Sequence, residues 1–194
     1  ASSGVMFSLD TESGFRNAVL INSSFGLGEN IVQGNVTPDE FLVFKPTLGE
    51  APRPILRKLL GTKEMKLVYD VGGSRRLRNV PVAVADRTRW SIEDGEILQL
   101  AGWACLIEDH YSRKRGEPTP MDMEWAKDGR TGGLFVLQAR PETVHARRRH
   151  DLLESYRLRQ RGTVLATGRS VGERIGSGPV RIVRDPSGLH TFRE

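Results

Sequence analysis

The chain of 194 residues carries 29 Lys and Arg against 24 Asp and Glu, a formal charge of +5, with 38% hydrophobic and 27% charged residues. That balance suits a globular chain rather than a disordered one, and no apolar run reaches the roughly 20 residues of a membrane span. A single cysteine, Cys105, excludes an intrachain disulfide and a thiolate metal cluster; with no secretory pattern at the start, a cytoplasmic location is expected.

The opening "ASSGVMFSLD" enters strand-like sequence without an initiator Met, and the closing "SGLHTFRE" carries no terminal signal, so a fragment of a longer protein is expected. Residues 4–9 and 18–24 read as strands joined by "DTESGFRN", whose Asp, Ser, Gly and Asn suit a hairpin loop. A third strand covers 41–46. The connection before it, "FGLGENIVQGNVTPDE", is long and rich in glycine, and such loops carry function out of proportion to their length. It lacks the third glycine of the dinucleotide fingerprint, and "GTK" at 61–63 lacks the first half of a P-loop. Glu29 nevertheless stands where glycines let backbone approach a ligand closely.

Residues 54–61 fit either a strand or a short helix, and 66–70 a strand. Over 91–111, Ile97, Leu98, Ala101 and Cys105 recur at helical spacing, joined by Leu100, Ala104 and Ile107 on a broad apolar face. Ser91 is the expected N-cap, with Asp94 completing an imperfect capping box. Residues 142–161 are polar with few core positions and read as a linker, and 163–183 return to short β-like runs punctuated by glycine.

Between helix and linker lies "MDMEWAKDGRTGGLFVLQARP", 121–141. Alternate strand residues share a face, so Asp122 and Glu124 point one way and Met121, Met123 and Trp125 the other. Pairing Glu124 with Gln138 sets Asp122 opposite Arg140 and Trp125 opposite Leu137, with "GRTGG" as a five-residue loop. One face then holds two carboxylates, an amide and a guanidinium. Carboxylate and amide oxygens suit Mg²⁺ bound alongside nucleotide phosphates, and a guanidinium suits a phosphoryl group. A solvent-facing hairpin with an Asp122–Arg140 cross-strand pair accounts for the same residues without any ligand, and spacing alone does not choose between them.

The pI near 9.7 invites a nucleic-acid reading. Its clusters, at 75–78 and 146–150, are small, have little aromatic interleaving and match no recognition motif, so solvated arginine explains them better. None of His110, His145, His150 and His190 has metal-ligand spacing or an identifiable acid or nucleophile beside it.

Taken together, "SGVMFSLDTESGF", "INSSFGLGENIVQGNVTPDEFLVFKPTL", "ILRKLLGTKEMKLVY", "HYSRKRGEPTPMDMEWAKDG" and "LFVLQARPETV" resemble, in order, the nucleotide-binding region of the phosphoenolpyruvate synthase (pyruvate, water dikinase) family. "LATGRSVGERIGSGPVRIV" is weakly similar to the start of that family's swivelling phosphohistidine domain. The resemblance implies an α+β fold, the C-terminal portion of an ATP-grasp domain over 1–145 with a mainly antiparallel sheet and packed helices. It further implies a linker over 146–161 and the first strands of the phosphohistidine domain over 162–194.

By the same resemblance, Glu124, Gln138 and Asp122 sit at the Mg-ATP site, with Glu124 and Gln138 as metal ligands, Arg140 on the phosphates and Glu29 touching the nucleotide. The family converts ATP, pyruvate and water to phosphoenolpyruvate, AMP and phosphate through a phosphohistidine, a gluconeogenic step. The implied cofactor is Mg²⁺, the partner ATP, and the full-length state a homo-oligomer, with no role for nucleic acid or membrane. Neither the Gly-Gly and Cys-His phosphohistidine motif nor a pyruvate-binding barrel occurs in the chain, so the chain alone is expected to be inactive. Pyruvate, phosphate dikinase and antibiotic-phosphorylating dikinases share the plan; a basic nucleic-acid-binding module and a noncatalytic lobe are the alternatives of another class.

Overall fold

A computed structural model describes residues 1–49, 53–70, 76–143, 156–160, 162–168, 175–179 and 182. The chain divides into two units, Ala1–Arg161 and Gly162–Glu194. In the second, the described residues are exposed and carry no helix or strand, so the β-like runs expected over 163–183 form no strand where they are described; the linker expected over 142–161 lies largely outside the described residues, and His145, His150, His190 and the basic run 146–150 lie wholly outside them.

In the first unit, alternating apolar residues build six strands, β1 (Ser2–Phe7), β2 (Ala18–Phe25), β3 (Asp39–Phe44), β4 (Ile55–Leu59), β7 (Met121–Lys127) and β8 (Leu134–Pro141). They form one antiparallel sheet in the order β4-β3-β2-β1-β7-β8. A separate two-stranded hairpin consists of β5 (Met65–Tyr69) and β6 (Leu77–Pro81). The segment 54–61 thus holds an edge strand, Ile55–Leu59, and β6 is an element the sequence reading did not anticipate.

Three α-helices are present among the described residues: the one-turn α1 (Glu29–Val32) and α2 (Val84–Arg87), and the 22-residue α3 (Asp94–Arg115). The expected fold class holds in its coarse form, a mixed α+β unit with a mainly antiparallel sheet. One long helix does most of the covering.

The core explains the pattern. Met6, Val19, Ile21, Phe41, Val43, Met121, Met123 and Trp125 project from one sheet face onto Ile97, Leu100, Ala101 and Ala104 of α3. Each fully buried side chain of the Leu, Ile, Phe or Met type contributes about 1.5–3 kcal/mol by leaving water. The opposite face carries a smaller cluster of Phe15, Ala18, Leu20 and Leu42.

Two local expectations change. Ser91 is not the N-cap of α3: its N–H and hydroxyl both donate to Asp39 Oδ2, at 2.8 and 2.7 Å. Glu93 caps instead, in a reciprocal box with Glu96, and Gly116 ends the helix at φ 72°, four residues beyond Tyr111 plus the cap. β1 begins at Ser2 rather than residue 4, because Ser2 and Ser3 are buried by hydrogen bonding and not by hydrophobicity: Ser2 Oγ donates to Ser91 O and Ser3 Oγ to Gly26 O. No helix among the described residues is long and apolar enough to cross a membrane.

Candidate functional site

The β7–β8 hairpin lies at one edge of the large sheet, and its inner strand pairs with β1, Met6 opposite Met123 and Val5 opposite Glu124. Within the hairpin, Asp122 faces Arg140 and Glu124 faces Gln138, the register expected from alternation. Trp125, however, pairs with Val136 and not Leu137, because a bulge opens between Glu124 and Trp125. Leu137 is the extra residue, 65% exposed, while Leu134, Val136 and Ala139 pack against the core.

The bulge shifts the loop too. Lys127 pairs with Leu134, leaving six residues, 128–133, in place of five. Asp128 closes that loop by accepting from Arg130 N at 2.9 Å and Thr131 Oγ1 at 2.8 Å, bonds that hold its carboxyl below the usual range.

Arg140 donates through Nε and Nη2 to Asp122 Oδ2, at 2.8 and 2.7 Å. The Asp122 hydrogen bond and then its charge push the guanidinium further up, so it stays cationic. The Asp122 side chain is sunk, at 14% exposure, whereas that of Arg140 is 66% exposed. The cross-strand pair therefore exists, and it presents the planar cation outward instead of hiding it.

On the other side of the site, the chain leaves β2 through Gly26, Leu27 and Gly28 into α1. Gly26 adopts φ 83°, and a Cβ there would fall 2.4 Å from Leu67 O, so only glycine lets this loop lie against β5. Leu27 N donates to Leu67 O at 2.9 Å, and the buried Asn30 donates through Nδ2 to Asn79 Oδ1 of β6 at 2.7 Å. Gln33 Nε2 donates to Glu29 Oε1 at 2.8 Å.

Between this loop and β7 opens a cleft of about 360 Å³, lined by Ser3, Gly28, Glu29, Glu124, Lys127 and Leu137, among others. Glu29 and Glu124, 95 positions apart, thus share one cavity. Asp122, Gln138 and Arg140 run along the same hairpin face and are not among its lining residues. A second cavity, of about 350 Å³, lies against β4 and the start of α3, away from all five expected residues.

The sequence reading missed Ser3, Lys127 and Leu137. Four consecutive apolar residues from Leu134 to Leu137, ahead of the polar Gln138, break strict alternation, and that break was the available sign of a bulge. Lys127 is held to Glu96 of α3 at 2.5 Å, a contact no local pattern discloses.

Among the described residues no three of His, Cys, Asp and Glu converge as a metal-binding group. Cys105 is half-buried on α3, and burial pushes its thiol up, which disfavours the nucleophilic thiolate.

Residues 1–160 match the family described as "Pyruvate phosphate dikinase, AMP/ATP-binding domain". The phosphoenolpyruvate synthase of Synechocystis sp. is 58% identical over 193 residues, covering 100% of this chain and 24% of its own length. That of Aquifex aeolicus is 46% identical over 198 residues, covering 100% and 23%. The Pyrococcus furiosus enzyme of the same name is 32% identical over 196 residues, covering 99% and 22%. The chain spans about a quarter of the length of these relatives.

Proposed function

Because the chain belongs to the pyruvate phosphate dikinase AMP/ATP-binding domain family, we propose that it forms one wall of the ATP site of a pyruvate, water dikinase. The observation that carries this reading is the meeting of Glu29 and Glu124 in one cleft, with the Asp122–Arg140 pair on the same hairpin. ATP lies along the hairpin face: the glycine loop and Glu29 bound the nucleotide, and Arg140 reaches the phosphates. Asp122 orients the guanidinium while leaving it accessible, which is what a bidentate phosphate contact needs.

Mg²⁺ fits this donor set only in part, and in the expected manner. Glu124 and Gln138 face each other across the two strands and offer a carboxylate and an amide oxygen. Mg²⁺ in phosphoryl-transfer sites takes one or two protein ligands and completes its shell with water and phosphate oxygens. When bound, the ion would neutralise charge on the transferred phosphoryl group.

On this reading an ATP-grasp portion covers 1–145, a linker 146–161 and the opening of a phosphohistidine domain 162–194. The longer protein would convert ATP, pyruvate and water to phosphoenolpyruvate, AMP and phosphate through a phosphorylated histidine outside this chain, in the cytoplasm and as a homo-oligomer. Splitting the transfer through a covalent intermediate replaces one difficult step by two easier ones. Pyruvate, phosphate dikinase, which shares the family's name, is the neighbouring reading.

The test is made in the intact protein with γ-to-histidine and β-to-histidine label transfer from ATP. Glu124→Ala and Arg140→Ala are each expected to lower labelling by at least about 100-fold, the scale of losing a group that stabilises developing charge. Near-normal labelling would remove both residues from the site.

A further inference from the structure

Outside the cleft lining lies an ion pair to which the nucleotide reading gives no part. The side chains of Asp39 and Lys63 are both 0% exposed, with Lys63 Nζ 2.5 Å from Asp39 Oδ1 and donating to Gly61 O at 3.0 Å. Gly61 N also donates to Asp39 Oδ1, at 2.9 Å, while Oδ2 takes the two bonds from Ser91. Ser91 is bound in turn to Ser23 Oγ at 2.8 Å, and its carbonyl accepts from Ser2 Oγ at 2.8 Å. One carboxylate thereby joins β3 to the 61–63 turn, the entry to α3, β2 and β1.

Taking two charges out of water is costly, and such a pair commonly adds little stability over an apolar one; holding a particular geometry is the better use. The geometry held here is the root of the β5–β6 hairpin. Lys63 sits at φ 42°, outside the comfortable range of a non-glycine residue, and its N–H donates to Thr37 O at 3.1 Å. Glu64 O accepts from Val82 N at 2.9 Å, closing the hairpin one residue later.

From that root, β5 carries Leu67 to the glycine loop, where the contact is backbone against backbone. Leu67 O accepts from Leu27 N, and Gly26 forms a parallel bridge with Leu67. No side chain intervenes to absorb a displacement. A shift of the hairpin is therefore passed to the loop.

We propose that Asp39 and Lys63 are positioning residues for the nucleotide site: their ion pair holds the root of the β5–β6 hairpin, and the hairpin, through Leu67, holds Gly26, Leu27 and Gly28 where they line the cleft. The inference rests on the nucleotide reading of that cleft.

Its test compares Lys63→Met with Leu100→Ala in the intact protein, at a temperature where circular dichroism shows both folded. Leu100 lies in the α3 core cluster, which contains no residue of the hairpin root, so it reports general loss of stability. Lys63→Met is expected to raise the Mg-ATP Kd by about tenfold and to speed amide exchange at Leu27, leaving β7–β8 protected; Leu100→Ala should do neither. Where Lys63→Met does not fold, the uncharged pair Asp39→Asn/Lys63→Met carries the same expectation.

Native Kd with native protection at Leu27, or equal effects of Leu100→Ala, would overturn the proposal. Failure of the underlying reading looks different: the wild type, and not only the variants, would bind no Mg-ATP. Exchange at Leu27 then still decides the mechanical link, acceleration upholding it and native protection refuting it.

Discussion

Lys45 and Glu108, which do not line the cleft, show how one residue's surroundings set its chemistry. Lys45 Nζ meets Glu108 Oε2 at 2.5 Å, with 15% and 16% of the side chains exposed. Burial pushes the Glu108 carboxyl above its usual range, outweighing the Lys45 charge and the hydrogen bonds from Lys45 and Ser8, which favour the anion. An acid whose folded-state pKa is raised contributes stability below the unfolded pKa and loses it as pH rises through the folded value. The Tm advantage of wild type over Glu108→Gln is therefore expected to shrink as pH rises from about 4 to about 7. Thermal melts across that interval check this; an advantage that grows with pH would contradict it. Position 108 was legible as helical, but the lysine opposite it, 63 residues away, was not.

At the scale of elements, α3 was the most legible part of the chain because its apolar face repeats at the helical period. Its start was not, because Ser91 has the residue type of a cap and only the tertiary contact with Asp39 removes it from that role. Glu93 and Glu96 cap each other reciprocally. Glu93→Ala is expected to cost about 1 kcal/mol, and Glu93→Ala/Glu96→Ala clearly less than the sum of the two single losses, measured by urea denaturation of each variant. Additive losses would mean that the box is not cooperative. In the β7–β8 hairpin, alternation gave the Asp122–Arg140 and Glu124–Gln138 pairs correctly. It failed one residue later, where keeping Leu134 and Val136 in the core required a bulge and turned Leu137 outward.

For the molecule as a whole, the chain's share of its relatives' length governs what it can do. The site residues of the proposed function occupy one cleft and one hairpin face of the first unit, and the proposal puts the reaction's histidine and pyruvate-binding parts outside this chain. The chain by itself is expected to form no phosphoenolpyruvate from ATP and pyruvate in a coupled assay; product formation would refute that division of labour. The charge of +5 supports no competing reading on its own. Arg78, in one of the two basic clusters, is paired with Asp70 at 3.3 Å. Nucleic-acid binding that falls steeply with salt and ignores Mg-ATP would revive that alternative.

The sequence by itself determined the strand and helix periodicities, the polar face of the 121–141 hairpin and, through the resemblance of its motifs, the family. These are local or directly comparable properties, carried by residue order. Tertiary structure alone decided that β1 pairs with β7, that Glu29 and Glu124 line one cleft, and that Asp39 and Lys63 close a buried network. Each joins segments separated by 24 to over 100 residues. Such meetings depend on which apolar faces pack together, and a period of two or 3.6 residues records that a face exists without recording its partner.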